Sequence, residues 1–328
     1  MSLCVREPGL LSLLVDRGRP HCRHLGVPVG GAADRTALAL GNALVGNEPD
    51  AVAVEVTLSG PAVEALQPAA CVVFGAPFQS TINGNPITPS TTFTLEPGDV
   101  LRIGGTLTGV RGYLCVAGGF DAPEILGSRS ALEPLRAGDE LRCRASRIEA
   151  RSLPFGVPVR AGSVSDGLGS SVAHASGSDG ILRVLDGPQR DWFAGDAFFA
   201  QTYEVSAASN RMGVRLKGQP ISRRAGELVS EAVAPGAVQV TNDGLPVVLG
   251  VDGQTIGGYP KIAHVIRADL DLLAQLRPGE RVRFVRVSPQ DAEKAARERA
   301  ECLAAWLARL RVAERPPVFV TVGHSLRE

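Results

Sequence analysis

Lysine is almost absent from this sequence. Only Lys217, Lys261 and Lys294 occur, so nearly all of the 34 basic residues are arginines, and 34 acidic residues balance them. With no excess of either sign, there is no global field to recruit nucleic acid or an anionic membrane surface. Long apolar runs are missing as well. Nothing approaches the ~18 residues of a membrane span, and the opening MSLCVREPGLLSLLVDRG sets Arg6 and Asp16 around a short apolar stretch. A cytoplasmic protein with no membrane partner is expected. The six cysteines (Cys4, Cys22, Cys71, Cys115, Cys143, Cys302) form no CxxC pair, which argues against a zinc site or a disulfide framework. His21 and His24 are spaced HxxH but have no third ligand nearby, so no metal is expected. The chain also lacks a GxxxxGK phosphate loop, a GxGxxG fingerprint, a GxSxG elbow and a Met-Lys biotin-attachment pair. Neither a nucleotide site nor a free-standing hydrolase is indicated.

Turn chemistry, by contrast, is abundant. Thirty-eight glycines and 23 prolines against 5% aromatic residues favour β architecture over a helical bundle, and 328 residues suit two domains better than one core. Short alternating or apolar runs bounded by Gly, Pro, Asn and Asp, such as CVVFGAPFQSTING (Cys71 to Gly84), read as strands joined by tight turns. Asn83-Gly84 fits a type I′ hairpin, and TNDG (Thr241 to Gly244) offers similar chemistry. Helix is sparse. Asp34 to Gly46 has an N-capping Asp and a Gly stop, Ala268 to Leu276 is a second candidate, and a C-terminal helix follows Ser288 as cap, Pro289 in its first turn and Asp291 three residues on. Leu303, Trp306, Leu307 and Leu310 give that helix an apolar stripe, expected to pack on its own domain rather than on a partner.

The chain also matches itself. RxxxRxxGxP at Arg19, Arg23, Gly26 and Pro28 recurs at Arg211, Arg215, Gly218 and Pro220. VEVTLSGP (Val54 to Pro61) aligns with VSEAVAPG (Val229 to Gly236), sharing Glu55 with Glu231, and EPGDVLRI (Glu96 to Ile103) aligns with RPGERVRF (Arg277 to Phe284). Three matches in one order suggest two related β domains. The Ser/Gly/Pro-rich stretch from Arg151 to Gly180 reads as the linker between them. This gives a first domain at 1–150, a linker at 151–180, a second domain at 181–287 and a C-terminal helix and tail at 288–328.

Several strings are more specific than any pattern: GVPVGGAAD, LVGNEPDAVAVEVTLSGP, GYLCVAGG, LGSRS, SNRMGVRLKG, SEAVAPGAVQV and GGYPKIAHVIRADL. From Val5 to Val287 the chain resembles the biotin-dependent carboxyltransferase family, that of the C-type subunit of 5-oxoprolinase, also called KipA type or allophanate hydrolase subunit 2. The resemblance implies a mainly β fold with two cyclophilin-like β-barrel domains, a few short helices and a C-terminal helix. It further implies one subunit of an ATP-dependent complex that opens 5-oxo-L-proline to L-glutamate, with A-type and B-type (KipI-like) subunits as partners. ATP would be bound largely on a partner. Two alternatives remain open: a carboxyltransferase subunit of a biotin-dependent urea or amide carboxylase, and a regulatory protein that binds a KipI-type partner. The chain departs from the family pattern at Val15, where a glutamine is usual, and at Ala131, where a threonine is usual. Because the second-domain motifs are intact, the site is expected there.

Within GGYPK, Lys261 beside Tyr259 and the amides of Gly257 and Gly258 suits a small carboxylate or a carboxylated intermediate, and Lys261 and Tyr259 are the candidate catalytic residues. Gly257 and Gly258 equally fit a hairpin turn with Lys261 in water. Ser209, Asn210 and Arg211 of SNRMG offer local hydrogen bonds and a planar fork for a carboxylate. The recurrence of Arg211 as Arg19 favours structural salt bridges instead, to Glu231 and Glu55 respectively. Gln239, Gln254 and Thr255 can serve an amide or ureido group. Asp34 reads as a helix cap rather than a binding carboxylate.

Overall fold

The computed structural model describes residues 3–153, 180–313 and 317–320, so the linker expected at 151–180 lies almost wholly outside the described residues. Two compact units emerge: Met1–Gly18, Arg35–Phe155 and Ala304–Glu328 form one, and Arg19–Asp34 with Gly156–Leu303 form the other. Among the described residues no helix is long and apolar enough to cross a membrane.

In the first unit, period-2 apolar patterning yields two sheets. One runs Glu140–Leu141, Leu3–Glu7, Ala62–Ala65, Val100–Thr106, Phe78–Ile82, Asn85–Pro86, and the other Ser12–Val15, Ala53–Thr57, Arg111–Val116, Ala69–Gly75, Phe93–Leu95. Every residue of Ala69–Gly75 and Arg111–Val116 is buried, as expected of central strands covered on both faces. The helix Arg35–Leu44 lies close to these two strands, and Gly41 permits the approach: a Cβ there would sit 2.9 Å from Cys115 Sγ and 3.0 Å from Phe74 Cβ. Asn83 and Gly84 take φ of 51° and 82° between Phe78–Ile82 and Asn85–Pro86, the two positive values a type I′ turn requires.

Asp16 holds this unit's LGSRS loop. Its carboxylate accepts from the Ser128 and Ser130 hydroxyls (both 2.6 Å) and from the backbone N–H groups of Arg129 (2.6 Å) and Gly18 (2.7 Å). Burial pushes the Asp16 carboxyl up, but these four hydrogen bonds outweigh it and hold the group below its usual range. The family departures at Val15 and Ala131 flank this cage without entering it: Val15 is buried in its strand, and Ala131 uses only its backbone N–H, donated to Leu14 O at 2.8 Å. Asp16→Asn is expected to cost about 3 kcal/mol in a denaturant titration at pH 7. Because the folded-state pKa is depressed, the contribution is fully present above the unfolded value of about 3.9 and disappears as pH falls through the folded value. The stability gap between wild type and variant should therefore narrow below about pH 4.

The second unit is built on a closed barrel. Its circuit runs Gly180–Asp186, Lys261–Val265, Ala237–Val240, Pro246–Leu249, Gly213–Lys217, Tyr203–Val205, Arg281–Arg286, and it closes by parallel pairing of the last strand with the first. Phe198, Tyr203 and Phe284 fill one part of its interior, with Phe198 and Phe284 stacked at 4.6 Å. The expected helix near Ala268 forms as Leu270–Gln275 after a 3-10 turn at Arg267–Asp269. Helix Pro289–Val312 begins as the sequence indicates: Asp291 N donates to Ser288 Oγ at 3.1 Å and Ser288 N donates back to Asp291 Oδ2 at 3.4 Å, a capping box with Asp in the Glu position. Leu310 of its apolar stripe is buried, and Leu303, Trp306 and Leu307 are half-buried.

Two expectations change. TNDG does not make a type I′ turn: only Gly244 has positive φ (78°), and Gly244 N donates to Thr241 O at 3.0 Å. The Asp243 carboxylate takes the Thr241 hydroxyl and Leu245 N–H, which anchors a longer loop with glycine in the left-handed position. The repeated RxxxRxxGxP is not a structural repeat. The second copy contains the strand Gly213–Lys217, whereas the first turns through a 3-10 helix at Arg23–Leu25 and belongs to the second unit. The EPGD and RPGE match does hold locally. Asp99 N donates to Glu96 O and Glu280 N to Arg277 O, each at 2.9 Å, with Gly98 and Gly279 at positive φ ahead of a strand.

Candidate functional site

Lys261 is the first residue of the strand Lys261–Val265 and is buried, its side chain only 7% exposed. It does not face water. Its ammonium pairs with Glu231 Oε1, which also accepts from Gln189 Nε2 at 2.6 Å. The Gln189 oxygen accepts from Lys261 N–H at 3.0 Å, and Gln189 N–H donates to Lys261 O at 3.2 Å. Gln189 therefore ties the backbone of Lys261 to the carboxylate that holds the Lys261 side chain. Gly187 makes this ring possible, because a Cβ there would fall on the Lys261 carbonyl, 2.7 Å from its carbon, and 2.8 Å from Ala263 N. The Lys261 ammonium draws the half-exposed Glu231 carboxyl below its usual range, with burial opposing and Gln189 adding to the effect. A buried, immobilised ammonium next to a half-exposed carboxylate is suited to stabilise negative charge developing on a substrate oxygen.

Gln239 stands directly opposite Lys261 across the strand pair, at a register shift in the ladder. It is 2% exposed, and its Nε2 has no hydrogen-bond partner among the described residues. Gly257 lies below it, paired with Glu231 in a short antiparallel ladder. Neither Gly257 nor Gly258 has positive φ, so they do not form a hairpin turn. Their value is close approach: a Cβ on Gly257 would sit 2.6 Å from both Gln239 Nε2 and Gln254 Nε2. Both amides thus pack against Gly257, where no side chain fits. Thr255, half-buried, supplies its carbonyl to Val233 N–H at 3.0 Å.

The remaining expected site residues lie elsewhere in the unit. Ser209 Oγ accepts from Arg215 N–H at 3.0 Å and Asn210 Oδ1 from Met212 N–H at 2.9 Å, so both shape their own turn. Arg211 is salt-bridged, as its recurrence suggested, but to Asp252 rather than Glu231: Nε and Nη2 reach the two carboxylate oxygens at 2.6 and 3.0 Å, and Nη2 also donates to Gly31 O at 2.7 Å. Glu55, the expected partner of Arg19, accepts from Tyr113 OH at 2.8 Å and lies 3.4 Å from Arg111 Nε. Tyr259 is exposed and lines an open groove of 460 Å³ with Arg215, Lys217, Thr241, Asp243 and Pro246, which Lys261 does not line. Asp34 precedes the helix Arg35–Leu44, is buried, and accepts from Gln275 Nε2 at 2.7 Å.

Gln189 and the pairing of Glu231 with Lys261 were not legible beforehand. The available signal was the rarity of lysine: a lysine in an apolar run such as YPKIAHV is buried only with a carboxylate partner.

The chain belongs to the carboxyltransferase domain family, subdomains A and B, whose profile matches residues 25–286. Two curated relatives are C-type subunits of 5-oxoprolinase. The one from Escherichia coli K12 is 34% identical over 90% of this chain and 94% of its own length, and the one from Haemophilus influenzae is 34% identical over 86% and 90%. Among solved structures, the crystal structure of TTHA0988 superposes with TM-score 0.73 at 36% identity over 87% of this chain, which spans 56% of that longer protein. The Kluyveromyces lactis urea amidolyase superposes with TM-score 0.79 at 27% identity over 93% of this chain, which spans 20% of the enzyme.

Proposed function

We propose that this chain is the C-type subunit of an ATP-dependent 5-oxoprolinase, working with A-type and B-type subunits to open 5-oxo-L-proline to L-glutamate, and that the Lys261 cluster receives the lactam. The observation that carries the site is the ring of Lys261, Glu231 and Gln189 beside Gln239, whose Nε2 has no hydrogen-bond partner among the described residues. Lactam opening places negative charge on the carbonyl oxygen, and the fixed ammonium of Lys261 is the group to meet it. Gln239 and Gln254 supply amide groups suited to orient the ring carbonyl or the carboxylate. The sequence has no phosphate loop, so the nucleotide is assigned to a partner subunit.

Reconstitution tests the reading. The three subunits with ATP and 5-oxo-L-proline are expected to release glutamate, with activity falling at least tenfold when this chain is left out. A full rate from the other two subunits would refute the assignment. Loss of activity on adding avidin, together with a requirement for bicarbonate, would favour the urea or amide carboxylase reading instead.

A further inference from the structure

Arg23 carries a charge with no counter-ion among the described residues. It is half-buried in the 3-10 turn Arg23–Leu25, and no carboxylate pairs with it among the described residues. Its Nη2 donates to the carbonyls of Val233 and Gln254, the latter at 3.1 Å, while Nη1 is buried with no hydrogen-bond partner among the described residues. Burial alone displaces its pKa, downward, and no neighbouring acid offsets the shift. A desolvated guanidinium without a counter-charge is costly and is characteristic of a site that takes its anion from outside.

The residues that hold Arg23 also reach the amide cluster. Gln254 accepts from Arg23 through its carbonyl and packs its Nε2 against Gly257, and Val233 accepts from Arg23 through its carbonyl while its Cγ1 also lies beside Gly257. Gln239 Nε2 packs against the same glycine and has no hydrogen-bond partner among the described residues. A forked cation and two amides are thus linked through Gln254 and Val233, and among the described residues neither Arg23 Nη1 nor Gln239 Nε2 has a hydrogen-bond partner. Arginine is the side chain whose geometry matches a planar carboxylate.

We infer that Arg23, with Gln239 and Gln254, forms the binding site for the carboxylate of a small-molecule ligand. The inference deepens the functional reading above and, on that reading, the ligand is the 5-oxoproline carboxylate, held away from the ring carbonyl that Lys261 addresses. It also makes the Arg19–Asp34 segment part of the second unit's binding site.

The test is calorimetry on the intact chain, with thermal melts alongside. The ligands are 5-oxo-L-proline, acetate and bicarbonate, against 2-pyrrolidinone, which has the same lactam ring without the carboxylate, at matched ionic strength. At least one carboxylate is expected to bind saturably and 2-pyrrolidinone to bind at least tenfold more weakly. Arg23→Gln should weaken the carboxylate about 10- to 100-fold, the loss of one charge-assisted contact. Because Arg23 also anchors two carbonyls, Gln239→Glu supplies a second reading: it leaves those bonds intact, replaces a donor with a like charge, and should abolish binding with the melting temperature held within a few degrees. No saturable binding by any carboxylate, equal binding of 2-pyrrolidinone, or unchanged affinity in both variants would overturn the inference. Binding of acetate or bicarbonate through Arg23 without binding of 5-oxoproline would uphold the site and reject the 5-oxoproline assignment.

Discussion

Replacing Lys261 by methionine is expected to lower kcat of the assembled enzyme by about a hundredfold or more, with a much smaller change in KM. Methionine keeps an unbranched stem of similar length and removes only the ammonium. The Lys261 backbone bonds to Gln189 do not involve that group, and Glu231, its carboxylate about 40% exposed, can take up water when its partner is lost. The fold should therefore survive, and a melting temperature within a few degrees of wild type would show that it does. A preorganised charge or donor at a developing oxyanion is worth about 10²–10³ in rate. The measurement is steady-state glutamate release from 5-oxo-L-proline and ATP. A loss smaller than about threefold would remove Lys261 from the chemistry and leave it a structural member of its ring.

Gly187→Ala is expected to be the most destabilising single methyl addition near the site, costing about 3 kcal/mol or more. The added carbon would meet the Lys261 carbonyl and Ala263 N, atoms of a buried barrel strand that cannot swing aside as a side-chain tip would. Gly187 N–H also donates to Ile262 O at 3.0 Å, so relief by moving the loop breaks its attachment to the strand. Gly195→Ala is the comparison: nothing among the described residues lies within 4 Å of its new methyl, and its φ of 59° opposes the change, at about 1 kcal/mol. Denaturant midpoints of the two variants should differ clearly. Equal midpoints would show that the 187–190 loop yields easily and that Lys261 is not held by it.

Local devices were legible in the sequence because their physics is local. The Asn83-Gly84 hairpin, the Ser288–Asp291 capping box and the helix ending before Gly46 each depend on a few adjacent residues, and each formed as read. The mainly β architecture also followed, from alternation and turn density. The site was legible only in part. Lys261 stood out by rarity, but its partners Glu231 and Gln189 come from 30 and 72 positions away, and only the pairing of short ladders brings them in. Arg211 invited pairing with Glu231 by analogy with Arg19 and Glu55. Asp252 takes it instead, because Gly250 and Gly253 let the loop between them close against the Arg211 and Met212 backbone. Four identical residues in a ten-residue window carried no shared conformation, since one copy is a barrel strand and the other a 3-10 turn.

The path of the chain through Arg19–Asp34 bears on how such a protein can be divided. The barrel unit draws those sixteen residues from inside the first 35 positions, with Gly30 N–H bonded to Val251 O at 2.9 Å and Arg23 held by Val233 and Gln254. No single cut releases the barrel unit whole. A gene fission or a recombination crossover anywhere in 154–179 would leave Arg23 on the wrong fragment, so a shuffled barrel would inherit its lysine and lose its arginine. Modular exchange between relatives must therefore swap two separate stretches of sequence together.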